Sequence, residues 1–182
     1  MTAMEVVVIR SAKRRKTSQA RLVDGCLEVR IPARLSVAEE QRVVADFRRR
    51  FERSHRSARV DLTTRACRLA DAHDLPRPGE IRWVANQGAR WGSCTPSTGT
   101  IRISDRLAAF PPWVLDAVIV HELAHLCERG HGPAFRALVA RYRLAERAEG
   151  YLIARSGETE PTADVWGDDD QAGSGAATDT LF

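Results

Sequence analysis

Met1 and Met4 are the only methionines in this chain of 182 residues, and lysine occurs only at Lys13 and Lys16. The four cysteines, Cys26, Cys67, Cys94 and Cys127, form no CxxC pair. That excludes a zinc knuckle and a thioredoxin-type site, and reads as reduced thiols serving as small hydrophobes. No stretch approaches the roughly 18–20 apolar residues that span a bilayer, so no transmembrane helix is expected. The apolar run Val6–Ile9 is too short for a signal-peptide core and precedes its charges, Arg10, Lys13, Arg14, Arg15 and Lys16. A cytoplasmic location is the expectation. There is also no glycine-rich phosphate loop.

What is present is the composition of a soluble globular protein, 43% hydrophobic and 29% charged. The net charge of +4 is unevenly spread. Residues 1–70 carry 17 basic and 8 acidic residues, residues 71–156 carry 11 and 9, and residues 157–182 carry seven acids and no base. The last segment, with Asp168-Asp169-Asp170 in a Gly/Ser/Ala/Thr-rich stretch, has too little apolar material to fold alone. The expected organisation is one domain over 1–156 and a disordered acidic tail over 157–182.

Glu5–Arg10, Gln19–Val23 and Cys26–Ile31 are rich in β-branched residues, with the hairpin signal Asp24-Gly25 between the last two. They predict an N-terminal β-meander. Ser36 and Glu39 have capping-box spacing, and Val44, Phe47 and Phe51 continue at helical intervals. Leu62, Ala66, Leu69 and Ala70 repeat that pattern, and the sequence leaves open a helix break at Ser54–Ser57. Ile81–Ala85, Ala89–Cys94 and Thr100–Ser104 then predict a short central sheet. Pro111-Pro112 suit the start of a helix that Gly130 and Gly132-Pro133 stop, and Phe135, Leu138, Val139 and Tyr142 mark another. Strands and helices come in blocks without βαβ alternation, which predicts an α+β fold.

The chemistry lies in His121-Glu122-Leu123-Ala124-His125, an H-E-x-x-H within a predicted helix. At 3.6 residues per turn the two imidazoles share one face and can reach one metal ion. Glu122 is rotated about 100° from His121, which directs its carboxylate beside the ion instead of onto it. Chance alone yields this string in about one such chain in a hundred. Zinc suits imidazole ligands, and three protein ligands leave a fourth position open for water. Two residues compete for the third place. Glu128 shares the helix face but lies about 10.5 Å along the axis from His121. His131 follows Gly130, which can turn the chain back, and is favoured. The spacing matches a metzincin, but Glu128 stands where that motif needs glycine and no methionine follows. A metzincin is rejected.

Arg90-Trp91-Gly92-Ser93-Cys94, Gly99–Ser104, the stretch Pro112–His125, and His131 with Phe135 together resemble the YgjP-like metallopeptidase family. The motif core covers roughly 81–142, and Arg136 stands where that family usually has tryptophan. The resemblance implies a zincin-like fold, a single zinc ion on His121, His125 and His131, and Glu122 as catalytic base. It also places Arg90, Trp91, Gly92 and Ser93 at a wall of the active site, where a peptide could pair with the strand and Arg90 or Ser93 could stabilise an oxyanion.

The preferred function is thus a zinc metallopeptidase acting on a peptide or protein. One alternative is a metal-dependent UTP pyrophosphatase, a label some family members carry. That chemistry normally uses Mg²⁺ on clustered carboxylates, and the motif region offers only Glu122 and Glu128. Another is a nucleic-acid-associated module with structural zinc. Against it, the basic run Lys13–Lys16 has no interleaved aromatics, and it reads more simply as a charged hairpin edge.

Overall fold

The computed structural model describes residues 5–87 and 90–156. The expected acidic tail, 157–182, lies outside the described residues. Contacts divide the chain into two compact units, one ending at Val60 and one beginning at Asp61. Helices and two small mixed sheets make the fold α+β, consistent with the zincin-like expectation.

The first unit holds β1 (Val6–Ser11), β2 (Gln19–Val23), β3 (Cys26–Pro32) and α1 (Val37–Ser57). Asp24 and Gly25 both adopt positive φ (50° and 83°), the backbone a tight β2–β3 hairpin requires. The three strands do not form the expected meander. Their order is β1-β3-β2, with β1 parallel and β2 antiparallel to β3. The physical reason is side-chain alternation. β3 alone offers three large apolar residues on one face, Leu27, Val29 and Ile31, all fully buried, so it takes the centre. α1 covers that face with Val43, Val44, Phe47 and Phe51. It starts at the anticipated capping box, Ser36 with Glu39.

The second unit begins at Asp61, which caps α2 (Leu62–His73) by accepting from the Thr64 backbone N–H at 3.0 Å. Its sheet has the same order as the first. β6 (Thr100–Ser104) sits between β4 (Glu80–Val84), to which it is parallel, and β5 (Gly92–Thr95), to which it is antiparallel. β5 is therefore an edge strand. A 3₁₀ turn (Asp105–Ala109) leads into α3 (Pro112–Ala124), followed by α4 (Pro133–Val139) and α5 (Ala145–Ser156). From Val114 to Ala124 every residue of α3 except Asp116 is buried. A helix apolar on all sides belongs in the middle of a core. α3 packs against β5 and β6 on one side and against α2, α4 and α5 on others. Arg65 of α2 donates to Asp116 of α3 at 2.6 Å, and Tyr142 donates its hydroxyl to the Trp113 carbonyl at 3.1 Å. No helix among the described residues is long and apolar enough to cross a membrane.

Candidate metal centre

The final turn of α3 places His121 and Glu122 in the core, 2% and 1% exposed. His125 caps the helix C-terminus, one turn beyond His121. The helix ends at Ala124 and continues as a turn in which the Glu128 N–H still donates to the Ala124 carbonyl at 2.9 Å, but the Glu128 carboxylate is not part of the metal-ligating cluster. Glu128 is exposed, and its backbone carbonyl accepts from His125 Nδ1 at 3.0 Å. That bond fixes a proton on Nδ1 and leaves the Nε2 lone pair to a metal ion. The segment after the helix brings His131 back beside His121, just before α4, with neither Gly130 nor Gly132 at positive φ.

The result is convergence of three ring nitrogens. Nε2 of His121 lies 3.1 Å from Nε2 of His125 and 3.2 Å from Nε2 of His131. Ligand nitrogens on a tetrahedral zinc ion, at 2.0–2.1 Å each, stand about 3.3 Å apart. The triad can hold a metal ion, and its donor set fits zinc. Burial and the neighbouring His125 and His131 hold His121 well below the usual imidazole range. It is therefore neutral at physiological pH, the form that ligates.

Phe135, which the sequence placed in a helical stripe and beside His131 in the family motif, is the packing element common to all three rings. It is 3% exposed. Its ring stacks on His125 at 4.4 Å and meets His121 and His131 edge-on at 4.8 and 4.7 Å.

Glu122 faces β5. A Cβ built on Gly92 would overlap Glu122 Oε1 and lie 2.9 Å from its Cγ and Cδ, closer than real contacts allow. Glycine at the head of this strand is what lets the buried carboxylate lie against the sheet. Its φ is not in the left-handed region, so the need is for space and not for backbone freedom. Cys94, two residues on, feels the same carboxylate. Burial first, then Glu122, push its thiol up to about 12.

The other RWGSC residues separate into roles. Trp91 is 4% exposed, packed between Phe110 at 5.2 Å and the Arg106 guanidinium at 4.0 Å. Arg106 also donates to the Arg90 carbonyl at 2.8 Å, which pins the approach to β5. Ser93 Oγ accepts from Gln87 Nε2 at 2.8 Å. Arg106 and Gln87 had no motif to single them out. Residue 89, the start of the predicted Ala89–Cys94 strand, lies with residue 88 outside the described residues, and β5 begins at Gly92.

Comparison with known proteins matches residues 16–143 to the YgjP-like, metallopeptidase domain family. Curated proteins yield no significant match. Among solved structures, the crystal structure of the metallopeptidase zymogen of Pyrococcus abyssi abylysin is similar, at 18% identity and a TM-score of 0.47, with 52% of this chain and 94% of that one covered. The family match runs from β2 to the segment after α4 and includes the whole His triad, so the chain belongs to the YgjP-like metallopeptidase-domain family.

Proposed function

We propose that the chain is a zinc metallopeptidase that cleaves peptide bonds, with 1–156 as its functional domain. One zinc ion is held by His121, His125 and His131, and Glu122 is the catalytic base. The observation that carries this reading is the convergence of three Nε2 atoms beside a buried carboxylate of the same helix. Bound there, zinc supplies a Lewis acid for a carbonyl oxygen and acidifies water.

The chain's own residues do the rest. The Glu122 carboxylate takes the proton of the attacking water and returns it to the leaving amine nitrogen. Gly92 keeps that carboxylate against β5, where a side chain would displace it. β5, as an edge strand, offers backbone N–H and C=O groups to an extended peptide, which gains ladder hydrogen bonds there. Ser93, within that strand, and Arg90, two residues before it, serve substrate positioning, and buried Trp91 anchors the approach to the strand. The test is peptide hydrolysis by the zinc-loaded protein alongside Glu122→Gln. Loss of hydrolysis with zinc retained supports the assignment, and undiminished hydrolysis refutes it.

A further inference from the structure

A cavity of about 400 Å³ opens beside the triad, inside the second unit, and the proposed proton transfers make no use of it. Its size falls in the range of roughly 300–1,000 Å³ seen for ligand pockets. His121 and His131 are among its lining residues. The walls near them are apolar, with Ala117 from α3 and Phe135 and Val139 from α4. α5 lines it with Glu146 and Glu149, three residues apart and so on one helix face, and α4 adds Arg136. Among the described residues, none of these three charged side chains takes part in an ion pair.

We infer that this cavity receives a long aliphatic side chain ending in a cation, arginine or lysine, from the peptide substrate. The inference deepens the peptidase reading and rests on it. Three features favour that occupant. Apolar lining residues, Phe135 packed on the triad among them, bury methylene groups and gain by removing them from water. Both carboxylates lie on α5, so the α5 wall favours positive charge, against the opposing charges of Arg136 and of a zinc ion on the triad. Glu146 and Glu149 repel each other on their shared face, and a cation between them relieves that repulsion. A long stem also keeps the cation away from a metal ion that would repel it. A short apolar side chain would fill the walls but leave the two acids without a partner.

The experiment digests a randomised peptide library with the zinc-loaded full chain and reads cut sites by mass spectrometry. The expected result is enrichment of arginine and lysine over glutamate, roughly tenfold or more, at one position next to the cleaved bond. Glu149→Lys, and Glu149→Gln should the former fail to fold, should erase that preference, and Glu146→Lys with Glu149→Lys should turn it toward acidic residues. Cutting without basic preference, or a preference unchanged in these variants, overturns the inference. A second readout measures binding of an arginine-containing and a glutamate-containing peptide to metal-free protein by calorimetry. Tighter binding of the arginine peptide, weakened by Glu149→Gln, supports the cavity's role, and equal binding overturns it. If the loaded chain cuts no peptide, the peptidase reading fails and the binding measurement alone decides the cavity.

Discussion

Gly92 and Glu122 occupy adjoining space so closely that one methyl group on the glycine would collide with the carboxylate. Gly92→Ala is therefore expected to displace Glu122 or β5. Overpacking of this kind costs ~1–3 kcal/mol of stability. A catalytic group moved by about 1 Å loses on the order of 10²-fold in rate. Thermal melting combined with turnover checks both. A fully active Gly92→Ala protein would show that the carboxylate has room to spare.

Phe135 touches all three imidazoles, so Phe135→Ala should cost ~3–5 kcal/mol and weaken metal binding by about 10–100-fold. Phe135→Leu should recover much of the stability but less of the affinity, because it fills the volume without the flat face that stacks on His125. Zinc competition against a coloured chelator, with melting of the metal-free proteins, separates the two effects.

His131→Ala should lower zinc content about as severely as His121→Ala or His125→Ala. Glu128→Gln should leave it nearly unchanged, because residue 128 reaches the centre through its backbone carbonyl. Metal analysis of the four purified variants checks this. Zinc lost from Glu128→Gln and kept by His131→Ala would reverse the assignment.

The Cys94 thiol, pushed up to about 12 by burial and by Glu122, remains protonated through neutral pH. In the unfolded chain it ionises near 9.0. Deprotonation thus favours the unfolded state, and this contribution to stability is present below about pH 9 and lost as pH rises toward 12. Iodoacetamide at pH 8 should label exposed Cys127 well before Cys94, as read by peptide mapping. Denaturant should remove the difference.

These residues also show how far the sequence could be read. The H-E-x-x-H spacing specified two imidazoles and a carboxylate because one helix fixes their mutual angles. His131 joins the other two histidines as expected, but Gly130 is not at positive φ, so the left-handed turn read from the sequence is not what brings it there. The order of the strands was less legible. Periodicity marks which residues alternate, but whether β2 or β3 takes the centre depends on the buried face that all three strands share with α1. Glu128 stays out of the metal-ligating cluster, and no side chain announces the end of the helix at Ala124, four residues before it. Gly92 was legible as part of the active-site wall but not as the space for Glu122, which comes thirty residues later. Phe135 was legible as a motif residue but not as the ring that packs on all three imidazoles, and Arg106 and Gln87 act through contacts between elements that leave no local signature.

The most direct test of the central claim is the paired measurement of zinc content and turnover in Glu122→Gln, with peptide and UTP as substrates. The expected result is one zinc ion per chain in both proteins, peptide hydrolysis by the wild type, and a fall of at least ~10²–10⁴-fold in the variant, because an amide cannot take the proton from water. Peptide turnover unchanged in a zinc-loaded Glu122→Gln protein, or a wild type that hydrolyses UTP and no peptide, would contradict it.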